Sequence, residues 1–204
     1  DSGTDADVTI DGGTTALTFA ASTIDGDLTV RNGNSITDSG TVTVGGNLAA
    51  TTDANNGLIN LGTLAVDGTV QLTTNGNGAA TVVNDAGLNF AASTVGGNLA
   101  ATATTGNMTD SGALTVAGTT TLTTSANNAT IALNTTTNAF TGAVTITTND
   151  ASGTDADVTI DAGTTALILA ASTIDGDLTV RNGNSITDSG LVTVGGNLAA
   201  TTDD

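Results

Sequence analysis

The acidic side chains offer the clearest chemistry in this sequence. Aspartates occupy alternate positions in Asp5-Ala6-Asp7, recur at Asp11, and the whole stretch is repeated 150 residues later. Alternate side chains of a β-strand share one face, about 6.5–7 Å apart. Ca²⁺ takes roughly six to eight oxygen ligands from carboxylates, carbonyls and water, so one hypothesis is a calcium site. The alternative is that these aspartates are solvated turn and edge residues. The candidate ligands are Asp5, Asp7, Asp11, Asp155, Asp157 and Asp161.

The two cations of the chain suggest a second kind of contact. Arg31 and Arg181 are the only basic residues, and each follows an Asp-Gly-Asp turn and a short apolar run. In an unbroken strand, these side chains face outward with the aspartates of that turn. We expect each arginine to form a salt bridge with an aspartate of a neighbouring coil or chain. The residues considered for these contacts are Arg31, Arg181, Asp25, Asp27, Asp175 and Asp177.

Composition excludes several classes of function. The 204 residues include 20 acidic and two basic side chains, a net charge of −18, and no His or Cys. Two arginines cannot neutralise a nucleic-acid backbone or dock on an anionic membrane. The residues that usually serve as general bases and nucleophiles are largely absent, so we predict that the chain is not an enzyme. No apolar run approaches the ~20 residues of a membrane span, so this segment is not expected to insert into a bilayer.

A long internal repeat indicates how the chain is organised. Residues 2–53 recur as residues 152–203, with four differences. We predict that residues 1–150 are one full super-repeat and that residues 151–204 begin the next. The simplest interpretation is one continuous structure that forms part of a longer tandem array. The four differing pairs are Gly12/Ala162, Thr18/Ile168, Phe19/Leu169 and Thr41/Leu191.

A shorter period inside this unit predicts the fold. A hydrophobic-x-Gly-x-hydrophobic signature, first centred on Gly26, returns at intervals of 20, 22, 29, 21, 24, 34 and 20 residues. Periods of about 20–30 residues are typical of solenoids. Apolar residues alternate with Thr, Ala or Asp, which is the pattern of half-buried strands, and Asn, Gly, Asp and Ser cluster between the runs as turn residues.

These patterns favour an all-β, parallel β-solenoid with about six coils in each 150-residue super-repeat. With layers ~4.8 Å apart, such a unit is ~29 Å long. The three aromatic residues, Phe19, Phe90 and Phe140, are expected to fill the core.

Three segments carry a resemblance to a known class of proteins. They are residues 35–48 (SITDSGTVTVGGNL), 109–120 (TDSGALTVAGTT) and 138–144 (NAFTGAV). Together they resemble the β-strand repeats of giant bacterial surface proteins, in the style of filamentous-haemagglutinin-type adhesins and autotransporter stalks. The resemblance implies a secreted, very long, right-handed β-helical fibre or stalk on the surface of a bacterial cell.

The functional hypothesis from the sequence is a structural one. We expect a stiff rod, a segment of an extracellular filament, stalk or biofilm matrix, whose partners are copies of itself, end to end or laterally, and other cells or surfaces. Ca²⁺ bridging between acidic rods is an additional hypothesis. The main alternative is an adhesin surface that binds a receptor or glycan, and the lesser ones are a functional amyloid and an ice-binding solenoid. For ice binding the regular Thr-x-Thr ladder is not evident, because Thr29 is followed by Arg31 and Thr69 by Gln71.

Overall fold

A computed structural model describes residues 6–149 and 155–203, which form 26 short strands joined by turns. None of the described segments forms a helix with the length and apolar character of a membrane span. In chain order the strands are β1 (Val8–Asp11), β2 (Leu17–Phe19), β3 (Ser22–Ile24), β4 (Leu28–Asn32), β5 (Ile36–Asp38), β6 (Val42–Val44), β7 (Leu48–Asn55), β8 (Ile59–Val66), β9 (Thr69–Asn75), β10 (Ala80–Asn84), β11 (Leu88–Phe90), β12 (Ser93–Val95), β13 (Leu99–Ala103), β14 (Met108–Asp110), β15 (Leu114–Val116), β16 (Thr120–Thr124), β17 (Ile131–Leu133), β18 (Ala139–Phe140), β19 (Val144–Thr147), β20 (Val158–Asp161), β21 (Leu167–Leu169), β22 (Ser172–Ile174), β23 (Leu178–Asn182), β24 (Ile186–Asp188), β25 (Val192–Val194) and β26 (Leu198–Thr202).

The strands wind into a parallel β-solenoid, which confirms the predicted fold class. They lie in two 13-stranded sheets, here called sheet A and sheet B, and the chain passes from one to the other in every coil. Each strand pairs in parallel with the strand one coil away, as β4 does with β1 and β7. The path through sheet A runs from β1 to β26 in ten layers.

The core follows from the alternation of side chains. In β4 the burial alternates strictly, so that Leu28 and Val30 are 1% exposed while Thr29 and Arg31 face solvent. Small aliphatic side chains suit the narrow space between two sheets. The predicted role of the aromatic residues is confirmed, because Phe90 and Phe140 are fully buried and Phe19 is 8% exposed.

The number of coils in the super-repeat is seven, which corrects the expectation of about six. Sheet A contains seven successive layers from β1 to β17, and β20, the counterpart of β1 in the next super-repeat, forms the eighth. With layers ~4.8 Å apart, the unit is about 34 Å long rather than ~29 Å.

The glycines of the signature do not all lie at the same edge of the solenoid, so their number is smaller than the number of coils. Gly46 donates its N–H to Gly26 O and Gly68 to Gly46 O, in a column that leads into sheet A. Gly97 instead stacks on Gly78 and leads into sheet B, as Gly118 does above it. The 29- and 34-residue intervals therefore each hold one and a half coils.

This half-coil shift divides the super-repeat into two halves that face opposite ways. The motif Leu17-Thr18-Phe19 opens a pair of short strands, β2 and β3, in sheet B. The same motif at Leu88-Asn89-Phe90 opens β11 and β12 in sheet A, and Leu167 begins it again in sheet B. Each half-repeat thus spans three and a half coils and presents its motifs on the side opposite to the previous one.

Long strands make the change of side possible. β8 pairs with the short strands β5 and β6 on one side and with the single strand β10 on the other. β9 likewise connects β7 to the pair β11 and β12. The registers shift within the β8–β10 and β7–β9 pairs. These irregularities accommodate the different numbers of residues with which successive coils cross the same sheet.

Candidate functional site: the two edges and the faces of the rod

The turns that lead from sheet B into sheet A form a ladder of side-chain acceptors, here called the acidic edge. Asp7 Oδ1 accepts the N–H of Asp27 at 2.9 Å, and Asp27 Oδ1 accepts the N–H of Asn47 at 2.6 Å. Asn47 Oδ1 in turn accepts the N–H of Thr69 at 2.9 Å. Each turn is thereby held to the turn of the next coil, since backbone donors at a turn need a partner.

The second copy repeats this ladder. Asp157 Oδ1 accepts the N–H of Asp177 at 2.7 Å, and Asp177 Oδ1 accepts the N–H of Asn197 at 2.6 Å. Asp25 and Asp175 lie two residues earlier in the same turns. Asp5, another predicted calcium ligand, lies outside the described residues.

The predicted calcium ligands do not form one cluster within the coil. Asp7 precedes β1 whereas Asp11 ends it, so their side chains belong to opposite edges of the solenoid. Asp11 Oδ1 accepts the N–H of Gly13 at 3.0 Å, and Asp161 does the same for Gly163 at 2.9 Å. Among the described residues, no three acidic side chains come together in a way that could hold a metal ion. Calcium binding stays a prediction.

Each arginine is paired with an aspartate of the following coil. Arg31 Nε donates to Asp53 Oδ2 at 2.6 Å, and Arg181 Nε donates to Asp203 Oδ2 at 2.7 Å. The hydrogen bond to Asp53 and its charge raise the pKa of Arg31 above its ordinary value, so the guanidinium stays charged. Asp203 raises the pKa of Arg181 in the same way. Both pairs are largely exposed, with the Arg31 side chain 64% accessible.

The arginines lie at the edge opposite the acidic edge, here called the mixed edge. It consists of the turns that lead from sheet A into sheet B, together with the strand ends beside them. Asp25 and Asp27 precede β4, whereas Arg31 lies near its end, about 13 Å along the strand. They therefore belong to the acidic edge, as do Asp175 and Asp177 in the second copy.

Charge is distributed unevenly between the two edges. The acidic edge carries nine of the 16 described aspartates and no arginine, and the mixed edge carries four with both arginines. The remaining three aspartates lie where two short strands cross one sheet in succession, and each ends the first of the two. In that order, the three groups are Asp7, Asp25, Asp27, Asp67, Asp85, Asp155, Asp157, Asp175 and Asp177; Asp11, Asp53, Asp161 and Asp203; and Asp38, Asp110 and Asp188.

Comparison of the half-repeats shows that this charge is not required by the turns. Residues 17–28 (LTFAASTIDGDL) align without gaps to residues 88–99 (LNFAASTVGGNL), which places Asp27 opposite Asn98. Asn98 Oδ1 accepts the N–H of Thr119 at 2.9 Å, as Asp27 does for Asn47. At the mixed edge, an amide oxygen accepts the same backbone hydrogen bond that a carboxylate oxygen accepts at the acidic edge. The charge is therefore an additional property of the acidic edge.

The outer faces of both sheets carry columns of threonine that the sequence pattern does not reveal. In sheet B one outward position is threonine in five successive layers, and another threonine column crosses sheet A in four layers. Their sequence intervals vary with turn length, which hides them from a search for a fixed period. They are Thr102, Thr123, Thr147, Thr173 and Thr193 in sheet B, and Thr51, Thr73, Thr94 and Thr115 in sheet A.

Comparison with known proteins identifies a repeat family. A family model described as repeats of unknown function (DUF5649) matches residues 5–61, 77–147 and 155–204. The matches begin 72 and 78 residues apart, close to the length of the half-repeat of three and a half coils. No curated protein and no solved structure matches this chain.

Proposed function

This chain belongs to the family of repeats of unknown function (DUF5649), and from its geometry we propose that it is a structural rod, a segment of an extracellular filament or stalk. The observation that carries the proposal is the continuity of the backbone pairing. Sheet A runs without interruption from β1 to β26, and sheet B from β2 and β3 to β24 and β25. Such ladders along the axis resist bending and extension, because bending or stretching the rod must strain many hydrogen bonds together.

The interior supports a mechanical role. Leucine, valine, isoleucine and alanine dominate one core that extends through the described coils, and Phe90 and Phe140 are fully buried in it. The stability of such an array is approximately the sum of coil terms and contacts between neighbours. Adding coils therefore lengthens the rod without requiring a new core.

Cation bridging between rods is a further part of the proposal. The acidic edge concentrates carboxylates that the turns do not need as charges, and two such edges would repel each other in the absence of counterions. Ca²⁺ shared between carboxylates of two chains requires no cluster within one chain. Bundles that separate into intact rods in chelator would support this bridging, and bundles unchanged by chelator would exclude it.

The location can be tested on intact cells. Antibodies raised against this chain should label thin fibres outside the envelope in electron micrographs of unpermeabilised cells. Label that appears only after permeabilisation would contradict the extracellular assignment. Saturable binding of the isolated rod to a defined glycan or receptor would favour the adhesin alternative instead.

A further inference from the structure

We propose that the face of sheet B packs against the same face of a second copy, which gives paired rods. The inference rests on the proposed rod function and specifies the surface through which rods associate. Its starting point is the distribution of charge. Of the described charged residues, only Asp38 and Asp188 lie on this face, whereas the acidic edge carries nine carboxylates.

The centre of this face carries no charged residue. Strands β10, β13, β16 and β19 lie side by side in register, and each crosses the face as a single strand. The outward positions along them hold only threonine, alanine and valine, all small or β-branched. They are Thr81, Val83, Ala100, Thr102, Thr121, Thr123, Thr145 and Thr147.

One of the two carboxylates on this face, that of Asp38 in β5, already accepts hydrogen bonds within the chain. Asp38 Oδ1 accepts the N–H of Gly62 at 3.1 Å, and its Oδ2 accepts the N–H and the hydroxyl of Thr63 at 2.8 Å. The hydroxyls of Thr18 and Thr37 share one hydrogen bond at 2.9 Å, and Thr37 Oγ1 also donates to Leu17 O at 3.4 Å. A partner that covers Asp38 therefore leaves its carboxylate hydrogen-bonded within the chain.

The area of the face suits a second copy. The face has nine layers ~4.8 Å apart. Each layer is crossed by one strand or by two short strands over roughly 17–20 Å, which gives an area of about 800 Å². That is the area per partner in a standard stable interface. Rows of small or β-branched side chains on two facing sheets interdigitate closely, with the sheets about 10 Å apart.

The net charge of −18 makes pairing depend on the salt concentration. Copies repel over about 30 Å at ~10 mM salt, and this range shrinks to less than ~10 Å above 0.1 M. Pairing through the face of sheet B, which carries only Asp38 and Asp188 among the described charged residues, should therefore strengthen with added NaCl and need no divalent cation. Bridging through the acidic edge would instead require divalent cations.

Sedimentation velocity of the 204-residue chain in EDTA tests the proposal. We expect monomers in about 10 mM NaCl and dimers in about 300 mM NaCl. The double variant Thr123→Asp/Thr147→Asp places two charges on adjoining outward positions and should raise the dimer dissociation constant at least about tenfold. Single rods visible by electron microscopy in either salt would show that the rod itself is intact.

The matched control adds the same charge at the edges. Asn98→Asp/Asn107→Asp keeps the acceptor oxygens that cap Thr119 and Thr130 and should leave the dissociation constant within about threefold of wild type. A second face variant, Thr123→Gln/Thr147→Gln, adds bulk without charge and should also weaken the dimer. Glutamine is tolerated on such a face, because Gln71 occupies an outward position in sheet A.

The proposal is overturned if intact wild-type rods remain monomeric in high salt. It is also overturned if edge and face variants weaken pairing equally, or if pairing depends on divalent cations. In each case single rods would leave the proposed structural role standing, whereas globular, collapsed particles would refute the role itself.

Discussion

At the residue scale, side-chain acceptors, whether charged or neutral, hold the turn of one coil to the turn of the next. Asp27 and Asn98 occupy aligned positions at opposite edges, and each accepts the backbone N–H of the following turn. Inside the solenoid, buried threonine and asparagine side chains close the turns. Thr74 Oγ1 donates to Gly78 O at 2.6 Å and accepts the N–H of Gly96 at 2.9 Å. Asn84 Nδ2 donates to Gly87 O in the same way.

Two substitutions of Asp27 should distinguish the contribution of its acceptor oxygen to stability from the contribution of its charge. Asp27→Ala leaves the N–H of Asn47 without its partner and should lower the free energy of unfolding by about 1 kcal/mol. Asp27→Asn retains the acceptor and should leave stability nearly unchanged, as measured by urea denaturation. If Asn costs as much as Ala, the carboxylate charge itself contributes to the fold.

Substitution of Thr74 should be costly although it preserves shape. Thr74→Val leaves the buried carbonyl of Gly78 and the N–H of Gly96 unsatisfied, which should cost about 2–3 kcal/mol of unfolding free energy. The control is Thr73→Val, because Thr73 is the outward neighbour in the same strand. Equal changes of melting temperature in the two variants would show that the hydrogen bonds of Thr74 do not contribute to stability.

At the element scale, the glycine columns set how closely successive turns approach. A Cβ at Gly68 would lie 2.5 Å from the carbonyl oxygen of Gly46 and 2.7 Å from Asn47 Oδ1. Because successive turns must stay one strand spacing apart, the neighbouring backbone cannot move away. Close stacking of the turns therefore requires glycine at the signature position. The signature identifies a column of stacked turns, and such columns occur at both edges of the solenoid.

A pair of glycine substitutions tests this stacking. Gly68→Ala should destabilise the chain by about 1–3 kcal/mol through overpacking. Gly62→Ala is the matched control, since no atom lies within 4 Å of a Cβ placed there. That variant should leave stability unchanged or raise it by up to about 1 kcal/mol. Similar melting temperatures for the two variants would contradict the steric account.

At the scale of the whole molecule, the half-coil shift gives the rod an approximate twofold screw. Three and a half coils return the motifs of Leu17 to Leu88 on the opposite sheet, and a further three and a half return them to Leu167 on the first. Both sheets therefore alternate between regions of single strands and regions of paired short strands. The edges break this symmetry, because carboxylates concentrate at one of them.

The axial period of native fibres should reveal this arrangement. We expect layers ~4.8 Å apart with a superperiod of about 34 Å, from seven coils, and a strong half-order near 17 Å. Cryo-electron microscopy with helical or layer-line analysis measures these spacings directly. A superperiod of about 29 Å would restore six coils, and a missing half-order would contradict the screw relation.

Much of the fold was predictable from local patterns. The alternation around Leu28 and Val30, the turn clusters and the 150-residue repeat predicted parallel coils and a core of small aliphatic residues with Phe19, Phe90 and Phe140 inside. Such patterns are informative because strand alternation and turn chemistry are local properties. The pairing of Arg31 with Asp53 depended instead on which coils adjoin.

By itself, the sequence determined the fold class, the absence of most catalytic residue types, the net charge of −18 and the position of the long repeat. Only the tertiary structure decided that the super-repeat holds seven coils, that Asp7 and Asp11 lie at opposite edges, and that threonines 20–26 residues apart form one column. The physical reason is that the path length around each coil varies with its turns. Residues meet by their position on the circumference of the coil, which a fixed spacing in sequence does not specify.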